Sequence, residues 1–209
     1  MLPVCERICY IALMIAAATP ITSKPVKFTP AQYFYLSDQN LFGGRRTELI
    51  HGEIIYMCAQ YDLHAFGVSR AFSWLNRAFP ENRFWVRPQM TLHCGENVPE
   101  PDLAVIPDPP KPTKTVMKGD RAVLIIEVSD TTLEMDTLTK PEIYAGAKVP
   151  DYWVLDVNLR RLIVHREPTG SVGARMGPRY KSIVTYDDSA RVAPLAAPKK
   201  FIRVSKMLP

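Results

Sequence analysis

The pattern of apolar and polar positions predicts short strands separated by a few helices. Residues 46–58 alternate on both sides of His51-Gly52, and this pattern predicts a hairpin. Residues 122–128 are nearly all apolar, which is typical of a short strand buried on both faces. The same criteria predict further strands at residues 83–92, 101–106, 152–157, 161–166 and 180–186.

Three segments are predicted to be helical. Thr29 and Pro30 are a favourable N-cap and first position for a helix that continues through residue 36. Residues 61–79 carry apolar side chains at three- and four-residue spacing, which predicts an amphipathic helix. A shorter helix is predicted at residues 142–147. Strands interspersed with helices in this way predict a mixed sheet of the α/β or α+β class.

Charge is distributed unevenly along the chain. Residues 157–209 hold eleven Lys/Arg and three Asp/Glu, a net charge of +8. Residues 1–156 hold 15 Lys/Arg and 18 Asp/Glu, a net charge of −3. A basic C-terminal region beside an acidic remainder suits a phosphate-bearing polymer that approaches a metal site. A solvated basic tail that only aids solubility explains the same pattern equally well.

Several common site types lack their usual signals. The sequence has no Gly-x-x-x-x-Gly-Lys loop, no Gly-x-Gly-x-x-Gly and no Gly-x-Ser-x-Gly, which argues against nucleotide-driven motors, Rossmann oxidoreductases and serine hydrolases. The cysteines show no zinc-site spacing, so Cys58 and Cys94 are expected to be reduced thiols. The scattered histidines are each expected to be loop or surface residues: His51, His64, His93 and His165.

Two acids and a lysine lie beside predicted apolar strands. Asp102 begins one strand, and Glu127 ends an apolar run 25 residues later. A glutamate on a buried strand usually needs a metal ion or a basic partner, so either a metal site or a structural ion pair would explain it. Lys140 either reaches the same site or forms a surface pair with Asp136, four residues earlier on a helix. Two carboxylates and a lysine are the parts of a metal-dependent phosphodiester hydrolase.

These residues resemble the PD-(D/E)xK restriction-endonuclease-like superfamily and, more narrowly, its Uma-two-type restriction endonuclease family. The resemblance runs from about residue 28 to the end of the chain. It rests on the order and spacing of short segments at residues 28–33, 48–53, 98–105, 126–129, 136–140, 144–156 and 202–209.

The resemblance implies a central mixed β-sheet flanked by helices, with a metal site on the sheet. Asp102 and Glu127 would be metal ligands, and the backbone carbonyl of Val128 would complete the set. The superfamily's usual lysine position holds Ser129 here. The family's variant moves the lysine to the following helix, which makes it Lys140.

Further residues follow from the same resemblance. Glu48 matches a family acid that could join the site, and Tyr144 would line the same cleft one helical turn beyond Lys140. Glu100, beside Asp102, is either another ligand or a spectator. Because Pro141 disfavours a helical backbone at the residue before it, the helix is predicted to begin at Pro141, with Lys140 just outside.

The expected function is hydrolysis of DNA phosphodiester bonds with Mg²⁺ or Mn²⁺, which prefer carboxylate oxygens. The expected partner is DNA, and a homodimer is an open possibility that rests on the resemblance alone. One alternative is a nuclease fold that has lost cleavage and acts as a DNA-binding or regulatory module. A second alternative is an exported structural or interaction protein, suggested only by residues 8–18.

The first 24 residues are expected to lie outside the fold, as a leader or a mis-assigned start. Residues 8–18 form an apolar run typical of a short secretory signal, too short for a membrane span. Alternatively, translation starts at Met14. We favour an untidy leader or false start, because export makes little sense for an enzyme that cleaves DNA. Residues 25–209 are then one nuclease domain, expected in the cytoplasm without a membrane partner.

Overall fold

The structure is a computed structural model that describes residues 24–108, 114–173 and 175–209. Residues 1–23 of the expected leader and part of the loop that follows Pro107 lie outside the described residues. The helices are α1 (Pro30–Asp38), α2 (Asp62–Ala78) and α3 (Lys140–Gly146). The strands are β1 (Thr47–Ile50), β2 (Glu53–Tyr56), β3 (Phe84–Pro88), β4 (Leu92–His93), β5 (Leu103–Pro107), β6 (Met117–Lys118), β7 (Leu124–Ser129), β8 (Asp151–Asp156), β9 (Arg161–Thr169), β10 (Arg179–Asp187), β11 (Arg191–Val192) and β12 (Ile202–Arg203).

A six-stranded mixed sheet forms the centre, in the order β10-β9-β8-β7-β5-β3. The β7–β8 pair is parallel and its other neighbouring pairs are antiparallel. A five-residue π-helix, Met135–Thr139, and then α3 lie between the two parallel strands. Such a pair needs a long crossover, usually a helix. The predicted class, a central mixed sheet with helices, is confirmed.

The sheet carries a separate apolar cluster on each face. Alternate residues of β7 divide between them, because successive strand side chains point to opposite faces. Leu124, Ile126 and Val128 pack with Trp74 and Leu75 of α2. On the other face, Ile125 packs with Ile143 and Tyr144 of α3. As predicted, β7 is buried along its whole length, and a polar residue on it therefore lies in the interior.

The β1–β2 hairpin lies against the chain that leads to Asp102. His51 and Gly52 form its turn with positive φ values of 50° and 78°, and Leu49 exchanges backbone hydrogen bonds with Val98 at 3.2 and 2.8 Å. This pairing fixes β1 beside the start of β5. The predicted helix start is also present, because Thr29 and the Gln32 side chain form a capping box at α1.

The predicted strand at residues 83–92 is wrong at its C-terminal half. The strand β3 ends at Pro88, and Gln89 takes a left-handed backbone with φ 46°. Pro88 cannot donate to a neighbouring strand, and the turn at Gln89 redirects the chain toward the short strand β4. The backbone N–H of Gln89 donates to the carbonyl of Asp102 at 2.9 Å, so the break helps to fix the residue before β5.

Two other expectations concern thiols and membranes. Cys58 is exposed, Cys94 is buried and both are free. None of the helices in the described part of the chain is long and apolar enough to cross a membrane.

Candidate active site

Asp102 and Glu127 lie side by side where β5 begins. The antiparallel register pairs Leu103 with Ile126, which brings the preceding residue next to Glu127. The backbone N–H of Asp102 donates to Oε2 of Glu127 at 3.1 Å, and the N–H of Val128 donates to Oδ2 of Asp102 at 2.8 Å. Both side chains are buried. Neighbouring strands therefore hold the two carboxylates together through their backbones.

Lys140 reaches the same place from the first residue of α3. Its Nζ lies 2.9 Å from Oε1 of Glu127, and 3.5 Å from both Oε1 of Glu48 and Oδ1 of Asp136. Its backbone is helical, with φ −63° and ψ −32°, so the prediction that the helix would exclude it is wrong. Pro141 occupies the second position of α3, directly after the π-helix, and Lys140 keeps a helical backbone although it precedes a proline.

Asp136 belongs to this cluster and is not part of a surface pair. Its side chain is buried, and its Oδ2 accepts hydrogen bonds of 2.6 Å from Ser129 Oγ and from Thr132 Oγ1. Ser129 stands at the position where the pattern resembled by the sequence usually has a lysine. In this chain the Ser129 hydroxyl donates to the carboxylate of Asp136, and that carboxylate also contacts Lys140. The alternative of a solvent-exposed Asp136–Lys140 pair is therefore wrong.

The other two candidate residues also contact the cluster. Tyr144 Oη donates to Oε1 of Glu127 at 2.7 Å, from one helical turn beyond Lys140. Glu48 Oε1 accepts a hydrogen bond of 2.7 Å from the backbone N–H of Glu100. The carboxylate of Glu100 forms an ion pair with Arg46. The structure thus brings together the side chains predicted as site residues: Glu48, Asp102, Glu127, Lys140 and Tyr144.

Two of the histidines are not loop or surface residues. His64, in the first turn of α2, places Nε2 3.0 Å from Oδ2 of Asp102. His165 is buried on β9 beside the ring of Tyr152, with 5.2 Å between ring centroids. The prediction fails because His64 meets Asp102 through the fold, 38 residues apart along the chain. The amphipathic pattern of α2 could have indicated that His64 faces the sheet. His64 lies three residues before Gly67, on the helix face that packs on the sheet.

The cluster opens to solvent through a pocket of about 210 Å³. Loop residues between β2 and α2 form part of its wall, including the exposed ring of Tyr61. The charged and titratable side chains that line it are Glu48, His64, Glu100, Asp102, Glu127, Asp130, Asp136 and Lys140, together with the Cys58 thiol and the phenols of Tyr56 and Tyr61. The excess of carboxylates makes the pocket strongly acidic.

Burial and the neighbouring carboxylates shift the pKa values of Glu127 and Lys140. Burial raises the pKa of Glu127 to about 8; Lys140 opposes this rise, whereas Asp136, Asp102 and Glu48 add to it. Burial would lower the pKa of Lys140, but the carboxylates outweigh it and hold that pKa well above its usual value. The lysine is therefore a cation at neutral pH, and a further positive charge in the pocket would favour the ionised form of Glu127.

The residues of the cluster suit a divalent metal ion that keeps part of its water shell. Among the described residues, no group of three or more His, Cys, Asp or Glu is arranged to enclose a metal ion. Mg²⁺, however, is usually held through only one or two carboxylates and several waters. Asp102 and Glu127 supply hard oxygen ligands, and the pKa of Glu127, raised by burial and further by the neighbouring carboxylates, would be lowered by a bound cation. The donor set thus fits Mg²⁺ or Mn²⁺.

The sequence also matches a protein-family model. Residues 31–197 match the model of Uma2, described as "Putative restriction endonuclease". The chain belongs to the Uma2 family. The match covers every residue of the cluster, from Glu48 to Tyr144, and it confirms the resemblance inferred from the sequence.

The fold is also found in a solved structure. It is similar to a crystal structure described as "a putative nuclease belonging to DUF820", from Anabaena variabilis ATCC 29413. The TM-score is 0.65 with 16% sequence identity, over 88% of this chain and 97% of that one. At this identity the likeness concerns the fold. No curated protein matches the chain.

Proposed function

We propose that this chain is a metal-dependent endonuclease that hydrolyses phosphodiester bonds of DNA. Membership of the Uma2 family supports nuclease function in general. The observation that carries the proposal is the contact of 2.9 Å between Lys140 Nζ and Glu127 Oε1, inside a pocket where Asp102 lies against Glu127. A cation placed beside paired carboxylates suits the stabilisation of charge that develops on a phosphoryl group during hydrolysis.

Asp102 and Glu127, with the backbone carbonyl of Val128, would hold Mg²⁺ or Mn²⁺. When bound, the metal polarises the phosphate and lowers the pKa of a bound water. The chain's own contribution is to fix the ligands before substrate arrives. The N–H of Val128 holds Asp102, while the N–H of Asp102 and the hydroxyl of Tyr144 hold Glu127.

Lys140 would orient the attacking water and offset the negative charge that grows on the scissile phosphate. Three carboxylates within 3.5 Å keep its ammonium group in place and charged. Because the side chain is buried, solvent screens this charge little, and its effect on the transition state is larger than at the surface.

Contacts with the DNA backbone would come from the basic C-terminal region. Of the eleven Lys/Arg in residues 157–209, Arg161 and Arg166 pair with the buried Asp156 and Asp151 and stabilise the sheet. The other nine are exposed: Arg160, Arg175, Arg179, Lys181, Arg191, Lys199, Lys200, Arg203 and Lys206. Exposed cations of this kind give binding that weakens as salt rises. The same proposal includes a cytoplasmic location and action on DNA as a homodimer.

The test is incubation of supercoiled and linear DNA with the full chain in Mg²⁺, Mn²⁺ or EDTA. We expect nicking with either metal and none in EDTA. A shift of the melting temperature by Mn²⁺, measured in parallel without DNA, separates an active enzyme from an inactive nuclease fold. Absence of both cleavage and metal-induced stabilisation would favour the DNA-binding or regulatory alternative.

A further inference from the structure

The carboxylate of Asp102 has one oxygen that is fully engaged and one that is nearly free. Oδ2 accepts hydrogen bonds from the N–H of Val128 at 2.8 Å and from His64 Nε2 at 3.0 Å. Among the described residues, Oδ1 accepts only from Gln89 Nε2, at 3.5 Å, the limit of a hydrogen bond. The asymmetry leaves Oδ1 available to a further partner in the pocket.

The imidazole of His64 contributes to that asymmetry through a single contact. Its Nε2 faces an acceptor oxygen, so Nε2 must carry the hydrogen. Its Nδ1 is buried and has no hydrogen-bond partner among the described residues. A buried polar atom without a partner costs stability, and the ring is nevertheless held in this position. Within the described part of the chain, Asp102 is thus the hydrogen-bond partner of this side chain.

Close packing of α2 on the sheet places His64 there. A Cβ added at Gly67 would lie 2.7 Å from Cγ1 of Val128, nearer than a real Cβ can approach. Only glycine therefore lets the first turns of α2 sit this close to β7. His64 lies three residues earlier, on the same helix face. Val128 thus meets the helix through its side chain and Asp102 through its N–H.

We propose that His64 is a positioning residue, whose Nε2–H fixes the carboxylate of Asp102 with Oδ1 directed to a divalent metal ion. This inference rests on the proposed function, because it assigns the metal to Asp102. Carboxylates that bind metals are themselves held by hydrogen bonds, and loss of such a partner typically weakens metal affinity by about 10- to 100-fold.

The experiment is a calorimetric titration of the metal-free full chain with Mn²⁺. It is carried out on wild type and on three variants. His64→Leu keeps a similar volume and removes the donor. His64→Gln keeps an N–H donor that could reach the carboxylate. His51→Asn is the matched control, because it removes an exposed histidine at a left-handed position that asparagine tolerates. Urea denaturation in EDTA reports whether each variant folds.

We expect the Kd for Mn²⁺ to rise about 10- to 100-fold in His64→Leu, to recover partly in His64→Gln and to stay unchanged in His51→Asn. Recovery by glutamine separates a hydrogen-bonding role from a space-filling one. A folded His64→Leu variant with wild-type affinity would overturn the inference and leave the nuclease proposal intact. A wild type that does not bind Mn²⁺ would remove both.

Discussion

Lys140 Nζ lies 2.9 Å from Oε1 of Glu127, although 13 residues separate the two along the chain. The contact forms inside the protein, where an unpaired charge of either sign would be expensive. Lys140 is therefore required by the stability of the carboxylate cluster as well as by the proposed chemistry. These two roles can be separated, because stability is measurable in EDTA and cleavage requires metal.

Lys140→Met should destabilise the metal-free protein by about 3–5 kcal/mol, the usual cost of breaking a buried ion pair by removing one partner. The variant leaves Glu48, Glu127 and Asp136 without their common cation. Urea denaturation in EDTA measures the loss, and Lys181→Met on the exposed face of β10 is the control. A loss no larger than that of the control would mean that the cluster does not depend on the lysine.

Mn²⁺ binding should tighten as pH rises toward 8. Because burial raises the pKa of Glu127 to about 8, a proton competes with the metal ion for this carboxylate below that pH. A metal ion that binds this group must displace the proton, so the apparent Kd should fall by up to about tenfold per pH unit below that pKa. Calorimetry at pH 6, 7 and 8 measures it. Proton release, read from the buffer dependence of the enthalpy, should accompany binding, and a Kd independent of pH would contradict the assignment.

Gly67→Ala should lower the free energy of unfolding even though alanine is the better helix former by about 1 kcal/mol. The new Cβ would lie 2.7 Å from Val128, and overpacking of this kind typically costs about 1–3 kcal/mol. Ser69→Ala, at an exposed position of α2, is the control. The loss should be smaller in a Val128→Ala background, where the conflicting methyl group is absent; equal losses in both backgrounds would locate the strain elsewhere.

His165 should make the fold sensitive to acid. Burial lowers its pKa from 6.5 to about 4. As pH falls from 6.5 to 4, the unfolded chain takes up a proton that the folded chain does not, so the stability present above pH 6.5 is progressively lost. We expect His165→Phe to remove this part of the pH dependence. Urea denaturation of wild type and of His165→Phe at pH 7.5 and pH 5 measures the free energy of unfolding. If both proteins lose the same free energy of unfolding between these pH values, the prediction is contradicted.

The sequence allows much of the sheet to be predicted because its signals are local. The apolar run around Glu127 predicts a buried strand, and the spacing of residues 61–79 predicts α2. The strand that was predicted through Gln89 fails because a left-handed backbone at a residue other than glycine leaves no clear sequence signal.

Part of the site could not be predicted, because it depends on tertiary packing. The role of Asp136 follows from the π-helix that turns its side chain inward, onto Ser129 and toward Lys140. The contact of His64 follows from the close approach of α2 at Gly67. The identity and order of Asp102, Glu127 and Lys140 suggested one site, and the fold supplied the contacts among them.

The central claim is most directly tested by the rate of plasmid nicking in Mn²⁺ by wild type and by Glu127→Ala, with folding of both verified in EDTA. Glu127 contacts Asp102, Lys140 and Tyr144, so its loss should remove several kcal/mol of transition-state stabilisation. We predict a rate reduced by more than about a hundredfold. A folded Glu127→Ala variant that nicks DNA at the wild-type rate would contradict the account.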